Sequence, residues 1–284
     1  LEVAFGDRRI LRGISFDLEA GKTLGVVGES GCGKSMTGFT VMGMLPRPGR
    51  IVGGSIVLDG KEITHLPEKA WQNIRGDEIG LVMQDPFTSL NPMMRVGEQI
   101  VEAIRLHRRV TAAVAKKEAI GLLDMVGVPA PAAAFAKFPH QMSGGQRQRV
   151  VIAIAFACKP KVLIADEPTT ALDVTLQAQI LRLLRELQRE EGTAVMLISH
   201  DIGAIGAVSD RVAVFYAGRV VEEGPAEAVL HRPMMPYTQG LLASLPRASA
   251  TRLEAIPGLP PDLAKPIVGC PFSPRCPKVH DRCV

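Results

Sequence analysis

One run of eight residues limits what this chain can fold into more than any other: Gly28-Glu29-Ser30-Gly31-Cys32-Gly33-Lys34-Ser35, which fits G-x-x-x-x-G-K-[ST]. It follows residues 22–27, an apolar stretch that reads as a buried strand, and it precedes a helical stretch. Strand, glycine turn and helix start are the context in which such a loop holds phosphate. Gly28, Gly31 and Gly33 admit backbone conformations that side chains would block, so successive N–H groups, Ser30 included, can wrap a β-phosphate at a helix N-terminus. Lys34 then reaches the β- and γ-phosphates, and the Ser35 hydroxyl supplies an oxygen to Mg²⁺. The bland alternative is a glycine-rich turn that binds nothing, and the complete pattern in its proper setting weighs against it. Cys32 reads as a small tolerated residue rather than a redox group.

Residues 162–165 form a second apolar strand pattern that ends in Asp166 and Glu167. Two acids at a strand end allow a division of labour: Asp166 holds Mg²⁺ through water, and Glu167 polarises the water that attacks the γ-phosphate. Alone, the pair would read equally well as solvated strand-end acids.

Further strand patterns at 51–58, 79–83, 194–198 and 212–215 alternate with helical ones such as the amphipathic 174–191, which predicts an α/β core. Between 95 and 156 no strand pattern stands out, while 96–109 and 114–126 read as helices. A helical subdomain is therefore expected at about 90–158, inserted into the sheet core. From Arg232 onward prolines thicken, marking residues 233–284 as an appended extension to a main domain of 1–232. No internal repeat is found. The longest apolar run, 150–158, has nine residues, against the roughly 18 that a bilayer crossing needs. With no leader pattern, a cytoplasmic protein is expected, and Leu1 suggests a trimmed start. A net charge of +4 with no dense basic run argues against a nucleic-acid partner. Five scattered cysteines argue against a disulfide framework.

Phosphate loops serve many kinds of NTPase, so the segment Met142-Ser143-Gly144-Gly145-Gln146-Arg147-Gln148-Arg149 narrows the choice. Ser143 has the chemistry of an N-cap, and Gly144 and Gly145 leave N–H groups open to a phosphate: a second anion site without a lysine of its own. The segment resembles the signature motif of the ABC family, with Met142 where leucine is usual. The resemblance implies an ABC ATPase, a P-loop NTPase core with an inserted helical subdomain and an N-terminal antiparallel β region. It also implies that two such subunits face head to tail, each ATP lying between one chain's phosphate loop and the other's Ser143 to Gln146. Other motifs follow in the family's order. Gln84 matches the Q-loop glutamine that senses Mg²⁺ and couples to membrane subunits. Ala171-Leu172-Asp173 resembles the D-loop that crosses the dimer interface, with Thr170 where serine is common. His200 matches the switch histidine at the γ-phosphate, and Phe5 takes the place of the aromatic that stacks on adenine. A core role for Phe5, a surface loop position for Gln84 and a structural role for His200 are the plainer alternatives.

Two stretches resemble the oligopeptide, dipeptide and nickel importer branch: Asp85-Pro86-Phe87-Thr88-Ser89-Leu90-Asn91-Pro92 and Pro236-Tyr237-Thr238-Gln239-Gly240-Leu241-Leu242. That branch carries a Cys-Pro-x-x-x-Arg-Cys-Pro tail, matched by Cys270 to Pro277. The resemblance implies a [4Fe-4S] cluster with Cys270, Cys276 and Cys283 as three ligands, the fourth being expected beyond Val284. Reduced structural thiols or a zinc site are the alternatives. It implies a motor subunit on the cytoplasmic face of the cell membrane. Its partners would be two integral membrane permease subunits, a second ATPase (a related heterodimer partner, or an identical chain) and, indirectly, an extracytoplasmic substrate-binding protein. The rival function is a soluble ABC ATPase of DNA repair or translation, which usually adds a coiled coil or a second cassette. The transported substrate stays open.

Overall fold

The computed structural model describes residues 1–170, 172–245, 255–263, 265 and 267–284. In chain order the strands are β1 (Glu2–Phe5), β2 (Arg8–Arg12), β3 (Thr23–Val27), β4 (Gly49–Gly53), β5 (Val57–Leu58), β6 (Lys61–Glu62), β7 (Ile79–Val82), β8 (Val162–Asp166), β9 (Ala194–Ile198), β10 (Arg211–Tyr216) and β11 (Arg219–Pro225). The helices are α1 (Lys34–Val41), α2 (Glu68–Ile74), α3 (Pro86–Ser89), α4 (Val96–His107), α5 (Ala112–Met125), α6 (Pro131–Ala134), α7 (Gly144–Ala155), α8 (Val174–Glu191), α9 (Ile202–Gly206), α10 (Ala226–His231) and α11 (Pro236–Ala243). They fall into two compact units, one of Leu1–Asp17, Leu24–Leu66 and Ile198–Val284, the other of Leu18–Thr23 and Pro67–Leu197.

In the first unit β1 lies between β2 and β4 in an antiparallel sheet, with Val3 opposite both Leu11 and Ile51. Val3 and Leu11 are fully buried, so this sheet has a core face despite its short strands. The 51–58 stretch, expected as one strand, is broken. Gly54 turns the chain at φ +85°, where a side chain would strike the Leu1 backbone, and the remainder forms a β5–β6 hairpin through Asp59 and Gly60, both at positive φ. β10 pairs in parallel with β3 and antiparallel with β11. Every residue of β3 is buried, as a parallel strand covered on both faces requires. The loop after Val27 therefore leaves from the carboxyl end of a rigid strand.

In the second unit β7 and β8 pair in parallel, Val82 beside Ala165, and β9 flanks β8. That register brings the segments after Val82 and after Ala165 out at the same end of the sheet. Among the described residues no strand lies between β7 and β8; α3 to α7 fill the interval. Ile100 and Ile104 of α4, Leu123 of α5 and Ile152 of α7 are fully buried, each contributing about 1.5–3 kcal/mol by leaving water. The expected 114–126 helix begins at Ala112, because Thr111 caps it by accepting from Val114 N (3.3 Å). α8 buries Ile180, Leu183, Leu184 and Leu187 on one stripe and ends at Gly192 in the left-handed conformation.

Candidate functional site

The phosphate-loop motif lies in the first unit. Lys34 is 5 % exposed, and its ammonium donates to Gly28 O (2.7 Å) and Glu29 O (3.1 Å). The loop thus folds around its own cation, at the start of α1, where N–H groups and the helix dipole also favour an anion. Gly28 sits at φ +151°, and a Cβ there would run into Phe215 O and lie 2.9 Å from Cys32 Sγ. No other residue fits that approach. Cys32 is buried, and burial raises its thiol pKa, as an inert packing residue requires. Thr37 Oγ1 donates to Gly33 O (2.9 Å), tying the loop to the first turn of α1.

Two further predicted residues lie in this unit. Phe5, half-buried, stands opposite Arg8 and Gly49, and Gly49 has no room for a Cβ because the Phe5 ring occupies it. His200 is exposed at the end of β9, between two residues that fix the backbone. Ser199 N donates to Val26 O (3.0 Å), Ser199 Oγ accepts from Asp201 N (3.0 Å), and Asp201 caps α9 by accepting from Ala204 N (3.0 Å).

The second unit brings Gln84 and Glu167 together. Gln84 Nε2 donates to Glu167 Oε2 at 3.2 Å, and Thr170 Oγ1 donates to the same oxygen at 2.9 Å. Glu167 has φ +47°, a left-handed conformation that costs a non-glycine residue about 1–3 kcal/mol, stabilised here by Thr170 N donating to Glu167 O. A carboxylate aimed by backbone strain and two donors is the expected form of a group that must meet a reactant in one orientation. Asp166, its neighbour, is buried at 8 % exposure. Gln84 and Thr170 belong to separate motifs in the sequence, and nothing there links both to Glu167; the fold does.

The 143–146 segment starts α7 with a capping box: Ser143 Oγ accepts from Gln146 N (3.3 Å), and Gln146 Oε1 accepts from Ser143 N (3.2 Å). Its glycines differ. A Cβ on Gly144 would meet nothing within 4 Å, whereas one on Gly145 would stand 2.5 Å from Leu176 of α8. Met142 is buried in the core, where an apolar exchange for leucine is tolerated. Asp173 caps α8 by accepting from Leu176 N (2.9 Å), while Ala171 of the same predicted loop lies outside the described residues. Asp85 caps α3 (Phe87 N to Oδ1, 2.8 Å), and the Arg147 guanidinium lies 4.1 Å over the Phe87 ring, joining the segment after Gln84 to the helix after Ser143.

The expected iron–sulfur site is not supported. Among the described residues no group of three or more His, Cys, Asp or Glu side chains is placed to hold a metal ion. Cys270, Cys276 and Cys283 are each half-buried and unbridged; Cys270 N donates to Cys283 O, and Cys276 Sγ accepts from Lys278 N at 3.3 Å. The residue that the tail does commit is Arg275, between Cys270 and Cys276, which forms a bidentate ion pair with Glu29 of the phosphate loop (2.7 and 2.9 Å). Sequence reasoning missed both partners. The only available signal was an arginine inside the tail motif, and nothing in the sequence points from it to a residue 246 positions away.

Comparisons with known proteins show the family to which the chain belongs. The ABC transporter family model matches residues 11–170, and the model for the oligopeptide/dipeptide transporter C-terminal region matches 221–283. The oligopeptide transport ATP-binding protein OppD of Salmonella typhimurium is 50% identical over 280 residues, covering 98% of this chain and 83% of that protein. The dipeptide transport ATP-binding protein DppD of Bacillus subtilis is 48% identical over 275 residues, covering 96% and 82%. Among solved structures, the dimeric post-hydrolysis ATP-binding cassette MJ0796 bound to ADP and Pi superposes with a TM-score of 0.69 at 28% identity, over 77% of this chain and 91% of that one. A phosphate loop folded around its lysine, a strained strand-end glutamate and a capped glycine pair occur here in a chain half identical to such proteins along nearly its whole length, and it belongs to the ABC transporter family as one of its ATPase cassettes.

Proposed function

We propose that this chain is the motor subunit of an importer for oligopeptides or dipeptides. It works from the cytoplasmic face of the cell membrane and couples ATP hydrolysis to two membrane permease subunits, to which an extracytoplasmic binding protein delivers the peptide. The observation that carries the substrate class is the match of residues 221–283 to the oligopeptide/dipeptide transporter C-terminal region, in a chain whose relatives are named for those same peptides. Neither nickel nor DNA repair or translation gains support from those relatives. Among the described residues no helix is long and apolar enough to cross a membrane, which fits a motor that relies on separate permeases.

In this reading Phe5 stacks on adenine, and the N–H groups of Gly28, Ser30, Gly31 and Gly33 with the Lys34 ammonium hold the phosphates. Ser35, Gln84 and Asp166 carry hydroxyl, amide and carboxylate oxygens, the donor types that would hold Mg²⁺ alongside phosphate and water. When bound, Mg²⁺ neutralises charge on the phosphate oxygens. Glu167 takes a proton from the water whose oxygen attacks the γ-phosphorus, while the bond to ADP breaks and ADP leaves with the electron pair. His200 contacts the γ-phosphate. Ser143, Gly144, Gly145, Gln146 and Asp173 serve the nucleotide of the opposite subunit, a related second ATPase in preference to an identical chain.

ATP turnover by the chain with its partner subunits, beside Glu167→Gln, tests the motor. The variant should bind ATP, form the dimer and lose at least about 100-fold in turnover. Loss of labelled tripeptide uptake, with nickel uptake unchanged, is expected in cells lacking the chain. A folded wild-type protein that does not bind ATP would sink the proposal.

A further inference from the structure

Glu29 is an x position of the phosphate-loop pattern, where the motif asks for no particular side chain. In this structure both its backbone and its side chain are nevertheless engaged. Its N–H donates to Tyr237 Oη (2.8 Å), its carboxylate accepts from both terminal nitrogens of Arg275, and its carbonyl accepts from Lys34 Nζ (3.1 Å). Two of these three ties come from the C-terminal extension, and the third leads to the phosphate-binding lysine.

Arg275 is built for one position. It is 7 % exposed, and its remaining donors are used as well: Nε on Pro257 O (2.9 Å), Nη1 on Tyr216 Oη (3.3 Å) and Nη2 on Ile256 O (3.5 Å). Beneath it Tyr216, Tyr237 and Phe272 pack ring against ring, with centroids 4.5 to 5.4 Å apart, and all three are buried. A planar guanidinium with every donor occupied has little freedom to move, and the carboxylate it holds shares that restriction.

We propose that Arg275 is a positioning residue for ATP binding. Through Glu29 it fixes the Gly28 and Glu29 carbonyls that hold the Lys34 ammonium, so the C-terminal extension sets the shape of the phosphate loop before nucleotide arrives. The inference rests on the loop being the ATP site. It gives the extension a task that does not depend on its cysteines.

The test is MgATP affinity and steady-state turnover of the full chain in its complex, for wild type, Arg275→Ala, Arg275→Lys and Glu29→Ala. Arg275→Ala and Glu29→Ala should each weaken ATP binding about tenfold and raise KM alike, with kcat within about twofold. The double alanine variant should be no worse than either single one, because both act through one contact. Arg275→Lys should restore only part, since an ammonium cannot form the bidentate pair. A merely structural role would lower kcat through loss of active protein and leave KM unchanged, which overturns the proposal. Should the alanine variants unfold, Glu29→Gln with Arg275→Met removes the charges as a pair at little cost in stability. The same affinity loss in that protein supports the positioning role, and wild-type affinity overturns it. A wild-type chain that fails to bind ATP takes the phosphate-loop reading down with it, an outcome distinct from unchanged binding in the variants.

Discussion

The phosphate loop and the 143–146 segment both start a helix with a glycine and a hydroxyl residue within two positions of each other, yet they are prepared in opposite ways. In the loop a buried ammonium occupies the space that the backbone encloses, bonded to two of the loop's own carbonyls, and the C-terminal extension braces Glu29. In the 143–146 segment no lysine is present, Ser143 and Gln146 satisfy each other's N–H groups, and Gly144 faces open space. One anion site carries its own countercharge and a fixed shape. The other offers N–H groups and a helix dipole, and becomes a strong site only when a second molecule brings the charge. In the function proposed above, that difference is a physical reason for pairing: the weaker half-site would be completed from outside the chain.

The largest effect should come from removing the cation that separates the two. Lys34→Ala deletes the only ammonium in the loop and leaves Gly28 O and Glu29 O without it. ATP affinity should fall by at least about 100-fold, because charge-assisted contacts to phosphate are lost along with the loop's internal support. Equilibrium binding of a fluorescent ATP analogue checks this. Retention of wild-type affinity would show that the loop's backbone alone suffices, and that the loop and the 143–146 segment do not differ in countercharge.

A middle-sized effect should divide the two signature glycines. Gly145→Ala places a Cβ 2.5 Å from the Leu176 side chain, so that side chain must rotate away or the two helices must part, at a cost of about 1–3 kcal/mol in stability. Gly144→Ala meets nothing within 4 Å and should leave the melting temperature nearly unchanged while narrowing the approach to the N–H groups. Thermal unfolding beside ATP-dependent dimer formation separates the cases: Gly145→Ala should move the first, and Gly144→Ala the second.

How much of this was legible in the sequence depends on the range over which each feature is set. The loop, the strand before it and the acids after β8 were readable because their chemistry is local, a motif set beside an apolar run. The capping role of Ser143 was likewise readable from residue type and position. For Gly145 the sequence shows only phosphate access, since nothing in a linear reading places Leu176 against it. The strained backbone of Glu167 and its two donors come from segments more than eighty residues apart in one case and three in the other, and the parallel β7–β8 register brings the distant one in. In the tail the cysteines drew attention because thiols have distinctive chemistry, while the structure commits the arginine between them. The break in the 51–58 strand was signalled by Gly53 and Gly54, which an apolar pattern on either side obscured.

The smallest predicted effect bears on the capping box. Ser143→Ala removes the acceptor for Gln146 N and leaves the reciprocal bond from Ser143 N to Gln146 Oε1 in place. Loss of such a cap costs about 1 kcal/mol, a modest change for a chain of this size. α7 is anchored by Val150, Val151, Ile152 and Ala153 in the core, so fraying should stay within its first turn. Hydrogen exchange should therefore quicken at the first-turn amides and remain slow from Val150 onward. The phosphate loop, held by Lys34 and Glu29 in the other unit, should bind ATP in the monomer as before. If Ser143→Ala instead lowered monomer ATP affinity, the 143–146 segment would be acting on its own chain's nucleotide, and the division of labour between the two glycine-rich starts would have to be redrawn.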